Sequence, residues 1–166
     1  METKYEEIYA LFLNRIINDD TFFNKNVSVD ESKTMSEKHM KSLLSQSVYK
    51  IVKCTNLDCE VDLITNMDDA NNTFIIELTL LEKQLIADLM FESYVDEQTI
   101  KMFKALSKLG FSDSEIKRWS PAESLTSFRK SFELLQGKNE QSIYNYKKRG
   151  RSDYKVKKFN YSSIVG

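Results

Sequence analysis

Apolar positions along this chain recur mostly three and four residues apart, the spacing that aligns side chains on one side of an α-helix. Tyr5, Ile8, Tyr9, Phe12, Leu13 and Ile16 form one such stripe and predict a helix over about residues 3–18. Asn18-Asp19-Asp20 then offer side chains that compete for backbone hydrogen bonds. The polar stretch through Ser32 therefore reads as a loop with room for a short strand at Val27–Val29. Thr34 and Glu37 match a capping box, in which each side chain satisfies a backbone N–H left over at a helix start. A second helix is predicted from there, over about 35–54, with Met40, Leu43, Leu44, Val48, Ile51 and Val52 turned inward and His39 beside the stripe.

The period changes between Thr55 and Thr73. Asp58, Glu60 and Asp62 alternate with Cys59, Val61 and Leu63, as in a half-buried strand, and a brief hairpin with Phe74-Ile75-Ile76 is predicted. Thr79 and Glu82 make another capping box, opening an amphipathic helix through Leu85, Ile86, Leu89, Met90 and Tyr94 to about Val95. A separate short segment over 97–109 ends at Gly110, which suits the left-handed position after a helix. Ser120-Pro121-Ala122-Glu123 combines an N-cap serine, a proline at the first helical position and a glutamate at the third. A last helix should start there and run past Gly137 to Tyr146, with Leu125, Phe128, Phe132 and Leu135 inward. The expected fold is mainly α: a helical bundle with a short β-hairpin or loop insertion and an extended C-terminal arm, divided into a body of 1–149 and an arm of 150–166.

Composition agrees with one helical domain, since 166 residues with 41% hydrophobic and 30% charged side chains contain a single proline and four glycines. The net charge of −1 hides an asymmetry. From Lys138 onward eight basic residues face two acidic ones, giving +6 and leaving −7 for residues 1–137. The acidic start Met1-Glu2-Thr3-Lys4-Tyr5-Glu6-Glu7 does not read as a signal peptide, and no apolar run reaches the roughly 18 residues of a membrane span. Cys54 and Cys59 lack the companions of a zinc site and read as reduced thiols.

Candidate chemistry is sparse. Asp58, Glu60 and Asp62, with Asp68 and Asp69, could supply oxygen ligands to a divalent cation. A calcium loop would need glycine where Leu63 stands and glutamate where Asp69 stands, and alternating acids usually mark a strand's solvated side. His39, the one histidine, leaves no triad, and Gly110, Gly137, Gly150 and Gly166 are too scattered to cradle a phosphate. Neither an enzyme, a metal, a cofactor nor a small-molecule substrate is expected. The tail stands out instead. Lys147, Lys148, Arg149, Arg151, Lys155, Lys157 and Lys158 interleave with Tyr154, Val156, Phe159, Tyr161 and Ile164. Cations among aromatics suit a nucleic-acid backbone, and the alternating apolar set suits strand addition to another subunit.

The opening Tyr5-Glu6-Glu7-Ile8-Tyr9-Ala10-Leu11-Phe12-Leu13-Asn14-Arg15-Ile16 resembles the start of the tailed-phage head–tail connector proteins, also called adaptors or head-completion proteins of the neck. The helix at Leu43–Ile51, the start Leu78-Thr79-Leu80-Leu81-Glu82 and the start Trp119-Ser120-Pro121-Ala122 are similar to that family's layout in the same order, over roughly residues 3–146. Ser93-Tyr94-Val95 departs from the Trp-Leu and proline often found after the family's central helix. The resemblance implies a ring of copies, a dodecamer, between the portal protein and a stopper or tail-terminator protein, with packaged DNA passing through its lumen. It also implies a place in the virion neck after synthesis in the host bacterial cytoplasm. Related connectors clasp the portal with their C-terminal segment, the role implied here for Tyr154, Val156, Phe159, Tyr161 and Ile164. The alternative is a nucleic-acid-binding regulator that uses the basic, aromatic tail.

Overall fold

The computed structural model describes residues 2–16, 22, 28–53, 59–108, 121–151 and 155–156, with 102, 103, 105–107 and 121–128 described in backbone alone. Among these are four helices and a small three-stranded antiparallel sheet, the mainly helical class the periodicity predicts. The helices are α1 (Tyr5–Arg15), α2 (Val29–Lys53), α3 (Leu80–Lys108) and α4 (Pro121–Lys148). The strands are β1 (Thr3–Lys4), β2 (Met67–Asp68) and β3 (Thr73–Phe74), in the order β1-β3-β2.

α2 begins more than one turn before the predicted start. Ser28 and Glu31 form the capping box: Ser28 N–H donates to Glu31 Oε2 at 3.2 Å and Glu31 N–H to Ser28 Oγ at 3.3 Å. Thr34, expected to cap, lies inside the helix and donates its hydroxyl to the Asp30 carbonyl at 2.9 Å. The same device lets serines enter the interior, as the buried Ser36 and Ser47 donate to the Ser32 and Leu43 carbonyls at 2.8 and 2.7 Å.

α3 starts at the predicted box, Thr79 N–H to Glu82 Oε2 at 2.7 Å and Glu82 N–H to Thr79 Oγ1 at 3.3 Å. It does not stop near Val95. No glycine or proline interrupts the chain there, and Thr99 returns its hydroxyl to the Val95 carbonyl at 2.8 Å, so the two predicted segments are one helix of 29 residues. α4 begins at Pro121, as its start motif predicts, and passes through Gly137 to Lys148.

Among the described residues, 59–63 form no strand, contrary to the alternation around Glu60 and Asp62. Asp62 instead organises a turn, its carboxylate accepting Ile64 N–H at 3.0 Å and its carbonyl accepting the Asn66 side chain at 2.8 Å. Phe74 pairs with Met67 on one side and Thr3 on the other, so the hairpin is β2–β3, extended by the chain's N-terminal strand. Its loop ends at Asn72, whose φ of 54° is the left-handed conformation asparagine tolerates. Val29, expected near a loop strand, opens α2, and Val27 lies outside the described residues.

α3 is the central element. Leu85, Ile86, Leu89 and Met90 are buried, against Ile8 and Phe12 of α1, Leu43, Leu44 and Val48 of α2 and Ile143 of α4 in one core. Each such side chain contributes about 2 kcal/mol when fully withdrawn from water.

Candidate functional site at the C-terminal root

The last turn of α4 and the residues after it meet the start of α3 around one carboxylate. Glu82 is buried, yet its two oxygens are fully engaged. They accept the Thr79 N–H, the Tyr146 hydroxyl at 2.7 Å and the Arg151 guanidinium, whose Nε lies 2.8 Å away. Burial works against ionisation of Glu82, but the bonds from Arg151, Tyr146 and Thr79 outweigh it and hold the carboxyl below the usual glutamate range. Burial and the neighbouring Glu82 push the Tyr146 phenol far up, so it stays a neutral donor. Arg151 also donates to the Glu77 carbonyl through Nη2, and its backbone N–H donates to Glu60 Oε2 at 2.5 Å. The residue after Gly150 is thereby fastened to two segments of the body, one at Glu60 and one from Glu77 to Glu82.

The basic residues singled out in the sequence part company here. Lys147 is 2% exposed, and its ammonium donates at 2.9 Å to the Val52 carbonyl, one of the unpaired acceptors at the end of α2. Lys148 lies over the Tyr144 ring at 5.6 Å and is exposed. Arg149 pairs antiparallel with Val156, and Gly150 N–H donates to the Lys155 carbonyl at 2.8 Å. Val156 is 55% exposed. Tyr154, Lys157, Lys158, Phe159, Tyr161 and Ile164 lie outside the described residues.

A groove of about 790 Å³ opens beside the clamp, lined by Glu60, Val61, Glu77, Leu78, Leu80 and Arg151. Farther along α3, Glu92 is buried between Lys50 of α2, at 2.5 Å, and Asn139 of α4, at 2.8 Å. Asp88 pairs with Arg15 of α1 at 2.7 Å, and Glu97 meets His39 of α2 at 2.7 Å. His39 stacks on Phe22 with ring centres 5.5 Å apart, a boundary position. Carboxylates spaced along α3 thus tie it to each of the other described helices.

The acids weighed as metal ligands do structural work. Glu60 holds Arg151, Asp62 and Asp68 cap turns, and Asp69 accepts the Tyr5 hydroxyl at 3.1 Å and lies 3.6 Å from the Lys41 ammonium. Asp58 and Cys54 lie outside the described residues, and Cys59 is half-buried with its sulfur 4.0 Å from the Ile51 carbonyl oxygen. Among the described residues no group of three or more His, Cys, Asp or Glu could hold a metal ion, and no helix is long and apolar enough to cross a membrane. Glu82 was legible only as a helix cap. Its partners lie 64 and 69 residues away, beyond any local pattern. Comparison with protein families, with characterised proteins and with solved structures finds no match.

Proposed function

We propose that this chain is a structural assembly protein of the tailed-phage head–tail connector kind. Copies of the helical body form a ring in the virion neck between the portal and a stopper or tail-terminator protein, with DNA passing through, and the C-terminal segment anchors the ring to the portal. The observation that carries this reading is the clamped root: Arg151 on buried Glu82 ties to the body the residue that precedes the basic, apolar segment of the sequence. Such a segment suits strand addition, in which main-chain bonds give affinity while Val156, Phe159, Tyr161 and Ile164 fill pockets of the acceptor. The helix-start motifs that resemble those of connectors, in the same order, support the same reading.

The alternative, nucleic-acid binding by the tail, is weakened because two of its seven cations, Lys147 and Arg151, are spent on internal contacts. The deciding experiment is co-purification of the full-length chain, and of residues 1–151, with the portal protein encoded in the same genome, followed by electron microscopy. Stacked rings from the full-length chain alone are the expected result, since 1–151 keeps the clamp but lacks the arm. Equal association of both forms, or none alongside salt-sensitive DNA binding, would sink the connector reading.

A further inference from the structure

The side of α4 turned away from the body is basic. Asn139, Ile143, Tyr146 and Lys147 are buried, and the opposite side presents Lys138, Gln141, Tyr144 and Lys148, three or four residues apart and all exposed. Tyr144 is 41% exposed with the Lys148 ammonium over its ring, and Leu134 on the same side is 74% exposed. Neither Lys138 nor Lys148 has an acidic partner among the described residues.

A surface of the opposite kind lies between α1 and α2. There a groove of about 550 Å³ is lined by the apolar Tyr9, Leu13 and Met40 and by Glu6 and Glu37, one carboxylate on each helix. Lys41 beside them is engaged, its ammonium donating to the Asp69 carbonyl at 2.6 Å and to Asn72 Oδ1 at 3.2 Å. Glu6 and Glu37 have no cationic partner among the described residues. Burial, and then the charges of Asp69 and Glu37, push the Tyr9 phenol up, so acid and not Lys38 or Lys41 sets the field at its hydroxyl. The lengths also agree, since Glu6–Leu13 and Thr34–Lys41 on the two walls and Gln141–Lys148 on α4 each rise about 10 Å.

We infer that the outer side of α4 from one copy docks in the α1–α2 groove of the next, Tyr144 against Tyr9 and Leu13, with Lys138 and Lys148 meeting Glu6 and Glu37. α4 is held to its own body by its buried side, so its outer side cannot turn into the groove of the same chain. The contact therefore joins two molecules head to tail, the kind of interface that closes rings. This rests on the self-assembling part of the connector reading and names the surfaces by which copies meet.

Two full-length variants, each altered on one surface only, test it without the portal. Glu6→Lys/Glu37→Lys reverses the charge of the groove, and Tyr144→Ser/Lys148→Glu removes the aromatic and its cation; all four positions are exposed, so melting temperatures should stay near that of the wild type. In sedimentation velocity across a concentration series the wild type should form oligomers, and each variant alone should self-associate about tenfold more weakly or less. An equimolar mixture should form one-to-one dimers and stop there, because each variant keeps the surface the other lacks. A monomeric wild type, variants that assemble like the wild type, or a mixture no more associated than its parts would overturn the inference. A monomeric wild type that still binds portal protein would do so while leaving the portal contact standing. Complementing variants of a chain that binds no portal would instead keep the interface and remove the connector reading.

Discussion

Glu82 accepts hydrogen bonds from Thr79, Tyr146 and Arg151 while shielded from water, so one side chain both starts a helix and holds the residues at the end of α4. Its folded pKa is depressed, so its contribution is complete above the ordinary glutamate range and is lost as pH falls through the folded value. Glu82→Gln should cost about 2 kcal/mol near neutral pH, less than a fully buried pair because Arg151 keeps some contact with water. Urea midpoints measured against pH should show the two proteins farthest apart near pH 7 and converging only at pH values below the ordinary glutamate range. A difference independent of pH would mean the carboxylate's charge is not what matters. Lys147 carries the opposite lesson: its position in the basic run suggested an outward role, yet its ammonium closes the end of α2.

The helices show what local signals settle. Gly137 sits inside α4 with open space where a Cβ would stand. Gly137→Ala should therefore stabilise by about 0.5–1 kcal/mol, raising the melting temperature by about 2–3 °C. No change, or a loss, would show that the glycine's freedom is needed there. The starts of α3 and α4 were legible because Thr79-Glu82 and Ser120-Pro121 name backbone groups that need partners. The start of α2 was missed although Ser28-Val29-Asp30-Glu31 is the same motif as Thr34 with Glu37. Two boxes competed, and the earlier one wins because it adds helical turns while Thr34 can still place its hydroxyl inside the helix. β1, β2 and β3 have two residues each, too few for alternation to register, and β1 joins through contacts some 70 residues distant.

In the whole molecule, α3 touches α1, α2 and α4, and its acids at 82, 88, 92 and 97 reach all three plus the C-terminal root. Arg151, two residues past the expected end of the body, is itself held by Glu82 and Glu60. Truncation to 1–151 should leave thermal stability near that of the full chain, whereas truncation to 1–149 should lose about 2 kcal/mol by stripping Glu82 of its cation. Calorimetry of the two fragments separates these outcomes, and equal melting temperatures would show that the clamp adds nothing. This part of the site was invisible in the sequence because the tail's composition announced a partner without saying which of its cations already had one.

The clamp also decides how the molecule would carry load. If the tail left directly from the last turn of α4, tension on it would peel that helix open one hydrogen bond at a time. With Arg151 seated on Glu82, a pull on the segment beyond it enters at the start of α3 and spreads through the acid-to-base ties to α1, α2 and α4 together. Yielding then requires several contacts to break at once, which is how a tether resists force and a zipper does not.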